Sequence, residues 1–292
     1  MDLIDLPILL LQTILFRPYV FVFFAGFLFF STQLVGWPRT WRFWVISWVT
    51  AFVCEFSSTR TGIPFGWYQY TGSTAGQELY LADIPFMASL SFSFLLYAAY
   101  CLTLCMLLPI DPSSASTRPS VRPLRFDLAA RTGMPALLLT AVLFALIDMV
   151  IDPAALRGDR WFLGKIYYYL DPGVHFGVPL ENYVGWVVVG AISLAIYFPL
   201  DRRLPAPPAH ANWSTTHRLL LGVGLYYAVL AFNFGVTFSI GEWRLGISGL
   251  LMYLPLTAWL VLRLTGRLRS PYESAVAERA TRAGGNQTGD FV

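Results

Sequence analysis

Residues 132–153 read TGMPALLLTAVLFALIDMVIDP. The run from Thr132 to Ile147 carries no charge, but it is shorter than the roughly 20 residues a helix needs to cross a bilayer. Completing the crossing draws Asp148 into the apolar layer and leaves Asp152 near its edge. The stretch therefore reads as a membrane helix with acid built into one end.

Similar stretches recur on both sides of it. Charge-free or nearly charge-free runs occur at Tyr19–Gly36, Phe43–Thr59, Ile84–Ile110, Asn182–Leu200, Leu219–Gly241 and Leu245–Leu262. With Thr132–Ile151 they make seven candidate spans, an all-α polytopic helix bundle forming one transmembrane domain over residues 1–269. Composition agrees: 56% of the 292 residues are hydrophobic and 13% are charged, against roughly 25% charged in a soluble domain. Leu6–Phe16 is too short to cross alone and is either a surface helix or the first half of a helix bent at Arg17-Pro18. The acidic start (Asp2, Asp5) argues against a cleavable signal peptide.

With the N-terminus outside, fourteen arginines fall on the cytoplasmic side and five basic residues, including Lys165, on the other. That bias places the C-terminus in the cytoplasm. Asp111–Pro123, rich in Pro, Ser and Arg, reads as a flexible linker, and residues 270–292 as a disordered tail. The net charge of +3 is dispersed, which gives no support to a nucleic-acid partner. Cys54, Cys101 and Cys105 lie in apolar runs and form neither a disulfide framework nor a metal motif.

Three acids carry the chemistry. Phe43–Cys54 is too short to cross, so Glu55 lies within or at the end of that helix. Asp148 and Asp152, spaced i, i+4, share one helix face. Ionisable groups at membrane depth are expensive and functional by default, and two neighbouring carboxylates make a natural acid–base pair. The competing reading is that Asp152-Pro153 ends the helix while Asp148 bonds Arg60 or another polar group. Asp83, before Ile84-Pro85, suits an N-cap; Asn182 and Asn233 suit either water orientation or contact between helices. His175 suits a local hydrogen bond.

The loops Arg60–Asp83 and Pro153–Glu181 are dense in Gly, Trp and Tyr, and such loops either line a pocket or form an ordinary aromatic belt. The single lysine, Lys165, is in a loop, which removes a retinal Schiff base. Three scattered histidines build neither a di-iron hydroxylase nor a haem site. No nucleotide or serine-hydrolase motif is present. Asp148–Asp152 is a DxxxD, but it lacks the second acidic cluster that a diphosphate-binding prenyltransferase needs. No metal and no cofactor is expected.

Two blocks carry a resemblance. The first is Gly62–Tyr70, GIPFGWYQY. The second runs from Ala145–Pro153, ALIDMVIDP, through Trp161 to Gly173–Trp186, GVHFGVPLENYVGW. Together they resemble the carotenoid biosynthesis protein family, which includes CruF-type carotenoid 1,2-hydratases and bisanhydrobacterioruberin hydratases. The sequence departs from the family pattern at His175, where an aromatic residue is usual, and at Ser89, Ser91 and Ser93, where a tryptophan is. The resemblance implies cofactor-independent addition of water to the 1,2 double bond of an acyclic carotenoid end group. Asp148, Asp152 and Glu55 would be its catalytic acids. Trp67, Tyr68, Tyr70, Trp161, Tyr167, Asn182 and Trp186 would line the substrate site, where aromatic faces stabilise a cation. The partners it implies are a lipophilic carotenoid reaching the site laterally through the bilayer, and other enzymes of the carotenoid pathway. The implied location is the bacterial cytoplasmic (inner) membrane. A carotenoid end-group cyclase, or a transporter or carotenoid-binding protein using the same acids, is the alternative.

Overall fold

A computed structural model describes residues 5–110, 123–207 and 214–273. Its helices are α1 (Asp5–Phe16), α2 (Pro18–Val35), α3 (Trp37–Thr61), α4 (Phe86–Leu107), α5 (Leu128–Thr132), α6 (Met134–Ala155), α7 (Leu180–Arg202), α8 (Thr215–Ser239) and α9 (Trp243–Leu264). Four short strands lie between them: β1 (Tyr68–Tyr70), β2 (Tyr80–Leu81), β3 (Ile84–Pro85) and β4 (Tyr167–Tyr169).

Six of these helices (α2, α4, α6, α7, α8 and α9) are long and apolar enough to cross a membrane. This chain is an integral membrane helix bundle, because only a helix satisfies its own backbone in lipid without a closed barrel. The seventh expected span is α3. At 25 residues it is long enough, but Arg39, Arg42, Glu55 and Arg60 lower its hydropathy. Its pattern is inside-out for a soluble helix: Arg39, Thr40, Ser47 and Glu55 are buried, while Val45, Val49 and Val53 face outward. The polar stripe points into the bundle.

Helix α4 is the central element, buried along almost its whole length, and α2, α3, α6 and α8 pack around it. Its contact with α8 depends on Gly222, where a Cβ would fall 2.3 Å from Cys101 Sγ. At one end, Asp201 of α7 is buried and paired with both Arg39 of α3 and Arg131 of α5. These arginines, assigned to surface loops by their place in the sequence, instead tie three helices together. This is the arginine end of the bundle.

The other end carries the two aromatic loops. Leu6–Phe16 forms its own helix, separated from α2 by Arg17. Arg17 is fully buried; it makes a two-pronged bond to Glu78 at 3.1 and 2.9 Å and donates to the Leu163 carbonyl at 2.7 Å. One side chain thus joins the helix break to both loops. The loops also pair directly: β1 and β4 run antiparallel, with Tyr68 opposite Tyr169, Gln69 opposite Tyr168 and Tyr70 opposite Tyr167.

Several expectations are corrected here. Asp83 is not an N-cap: it occupies the β2–β3 turn at φ 71°, its side chain is exposed, and Arg60 lies 3.5 Å away. Pro153 does not end its helix, since α6 runs on to Ala155. The segment from Ser270 begins docked, with Ser270 buried and bonded to the Leu107 carbonyl and Glu273 paired with Arg263 at 2.8 Å. Residues 274–292 and the linker residues 111–122 lie outside the described residues.

Candidate active site

Beneath the β1–β4 pair lies a cavity of about 170 Å³ lined by residues of α2, α3, α4, α6, α7, α8 and both loops. Glu55, Asp148 and Asp152 all line it, as do Tyr68, Tyr70, Trp161, Tyr167, Asn182 and Trp186. Trp67 does not. It is 47% exposed, and its ring lies against Gly62 at the end of α3, on the far side of the strand that carries Tyr68 and Tyr70.

The i, i+4 spacing on α6 brings Asp148 and Asp152 to one face, and Asn182, in the first turn of α7, spans them. Its Nδ2 donates to Asp148 Oδ2 at 2.7 Å and to Asp152 Oδ2 at 3.1 Å. Arg60 is not the partner of Asp148. Asp152 is held further: Tyr167 donates to its Oδ1, and Tyr169 to its Oδ2 at 2.6 Å. Among the described residues, Asp148 Oδ1 is buried with no hydrogen-bond partner. The two acids therefore differ. One is fully tied as an acceptor; the other keeps an oxygen free.

Glu55 forms a separate station on α3. It accepts from Tyr70 at 2.7 Å and from Ser89 of α4. Burial, reinforced by the adjacent carboxylates, pushes the phenols of Tyr68, Tyr70, Tyr167 and Tyr169 well above their ordinary pKa. Tyr70, Tyr167 and Tyr169 are consequently protonated donors. Tyr68 sits between the stations, its ring 5.5 Å from Tyr70 and 6.2 Å from Tyr167.

Tyr169 and Ser89 were missed by sequence reasoning. The signal for Tyr169 was available, because strand residues alternate faces. In Tyr167-Tyr168-Tyr169 the first and third share a face, while Tyr168 turns outward to Gln69 at 3.1 Å. Trp186 is stacked on Phe92 at 4.2 Å and lies 4.6 Å from Phe144, which gives the cavity an aromatic floor. Gly185 lets Phe65 of the first loop pack against α7: a Cβ there would fall 2.4 Å from the Phe65 ring. Trp161 donates to the Ala154 carbonyl at 3.0 Å and so caps the end of α6. His175 contacts the Tyr183 hydroxyl at 2.5 Å, the local bond expected of it. Asn233 also lines the cavity, but its Nδ2 donates to the Val229 carbonyl of its own helix at 2.9 Å. No cluster of three or more His, Cys, Asp or Glu among the described residues is arranged to hold a metal ion.

The arrangement suits acid–base chemistry on an apolar molecule: a free acid oxygen, an anchored carboxylate beside it, and aromatic faces around them. Comparison with known proteins points the same way. A sequence model of the carotenoid biosynthesis protein family matches residues 9–255. The bisanhydrobacterioruberin hydratase of Haloarcula japonica is 32% identical over 149 residues, which cover 51% of this chain and 41% of that protein. The match thus spans less than half the length of that relative. No solved structure matches.

Proposed function

Because the chain belongs to the carotenoid biosynthesis protein family, we propose that it adds water to the terminal 1,2 double bond of an acyclic carotenoid, with Asp148 and Asp152 as acid and base. The observation that carries the reading is the asymmetry of the pair: Asp148 Oδ1 is buried and without a hydrogen-bond partner among the described residues, while both oxygens of Asp152 are bonded. The hydratase name of the archaeal relative supports the reaction class.

A trisubstituted alkene is a weak base and needs a strong, desolvated acid. Asp148 gives its proton from Oδ1 to C2: the O–H bond breaks, the C2–H bond forms from the π pair, and a tertiary cation is left at C1. The rings of Tyr68, Tyr167 and Trp186 present negative faces that stabilise the cation. Water bonds to C1 through oxygen and loses one proton to Asp152. That proton then passes back to Asp148 across the pair bridged by Asn182. The sum is alkene plus water giving a tertiary alcohol, with no electron transfer and no net proton change.

Expression in a lycopene-producing host tests the reading. The expected product is heavier by one water, as read by chromatography and mass spectrometry. A product of unchanged mass but altered spectrum would replace hydration with cyclisation. An unaltered carotenoid pool would remove the enzymatic reading.

A further inference from the structure

At about 170 Å³ the cavity is close to the size of an engineered 150 Å³ cavity that holds one benzene. That is the scale of one isoprenoid end group and far short of a long polyene. If the proposed function holds, the rest of a long polyene leaves through the wall, and the wall must open somewhere onto the lipid face.

The α2–α8 seam is built for this at its loop end. Toward the arginine end it is closed: Arg218 donates to the Gln33 carbonyl at 2.9 Å, and Gly26 lets Leu225 approach the α2 backbone. Toward the loops the two helices meet through aromatic rings. Tyr19 of α2 stacks on Phe232 of α8 with centroids 5.2 Å apart and planes at 17°. Phe23 meets Phe232 edge-on at 5.9 Å. Tyr19, Phe23 and Phe232 line the cavity and keep a minor part of their surface exposed. Phe162, 60% exposed, continues the cluster to the surface, 5.5 Å from Tyr19. Rings move apart by rotamer change, without breaking backbone hydrogen bonds, and a flat conjugated chain satisfies the stacking preference of the rings it separates.

We propose that the apolar chain of the substrate passes between Tyr19 and Phe232, so that one end group at a time occupies the cavity while the remainder lies in the lipid beside α2 and α8. The inference rests on the proposed function for the kind of substrate, but its test reads position and not turnover. Benzoylphenylalanine is placed at Phe232 in an Asp148→Asn background, in membranes of a lycopene-accumulating host, and irradiated. A matched control carries the same probe at Phe29, an outward-facing residue of α2 that is 56% exposed. The expected result is coloured polyene covalently attached at 232 and not at 29. Equal attachment at both, or none at 232, overturns the portal. If the 232 variant is lost from the membrane fraction, the probe at Tyr19 with the same control gives the same decision. Failure of hydration itself would show separately, as an unaltered carotenoid mass with the unsubstituted chain.

Discussion

Tyr70 and Tyr167 are direct register partners across the β1–β4 pair, and each serves a different acid: Tyr70 donates to Glu55 at 2.7 Å, Tyr167 to Asp152. Two loops separated by the whole of α4, α5 and α6 are therefore zipped so that one strand pair roofs both carboxylate stations. Backbone pairing supplies the geometry, and the phenols supply the hydrogen bonds that make buried carboxylates tolerable.

The first prediction concerns the pair on α6. Asp148→Asn keeps the bond to Asn182 within reach by a flipped amide but removes the transferable proton. Hydrated product should fall by about 10²–10⁴-fold, the usual contribution of a positioned acid or base, with unchanged protein in the membrane fraction. Asp152→Asn should fall as far. Product from Asp148→Asn at the unsubstituted rate would shift the acid role to Glu55.

The tyrosines separate by strand face. Tyr167→Phe and Tyr169→Phe each remove a hydrogen bond to a carboxylate, an interaction worth about 1.5–3 kcal/mol. Both should slow product formation by roughly tenfold or more. Tyr168→Phe, on the outward face and bonded to Gln69, should leave the rate unchanged. A loss at position 168 equal to that at 167 would mean the strand register is wrong.

Arg17 and Glu78 make a third prediction. Both side chains are fully buried and paired at 2.9 Å. Glu78→Gln strands the guanidinium in a dry setting, and breaking such a pair from one side costs about 3–5 kcal/mol. The expected result is a lower unfolding temperature in detergent and easier proteolysis of both loops. Arg17→Met combined with Glu78→Gln should recover part of the loss, because no unpaired charge is left behind.

The helices and the acids were legible because both signals are local. Spans follow from runs of apolar residues, and the Asp148–Asp152 face follows from helical periodicity. What stayed hidden depends on partners far along the chain. Arg17 and Glu78 are 61 positions apart. Arg39 and Arg131 reach Asp201 from 162 and 70 positions away, so a count of arginines by loop treats two buried ligands of one carboxylate as surface charge. Trp67 stands in the same aromatic block as Tyr68 and Tyr70, yet strand alternation and the turn at Gly62 place it outside. The same alternation puts Tyr169 on the face of Tyr167, a signal present in the sequence once the three tyrosines are read as a strand.

The last prediction tests the helix contact that shapes the cavity. A Cβ on Gly222 would lie 2.3 Å from Cys101 Sγ and 2.6 Å from its Cβ, so α8 cannot keep its distance from α4 with any larger residue there. Gly222→Ala should destabilise by about 1–3 kcal/mol, the usual cost of overpacking a closed core, and should lower the unfolding temperature in detergent. Cys101→Ala removes the nearer atom and leaves the farther one, so the double variant should recover part of the loss and no more. That coupling is the test, because residues in contact depart from additivity while distant ones do not. Because α4 carries Phe92 and α8 carries Phe232 into the same cavity, the single variant should also lose product beyond what its reduced stability explains, and the double variant should regain both together. Purely additive losses would mean that α4 and α8 do not meet at this point, and the cavity between them would then lack the wall on which its shape depends.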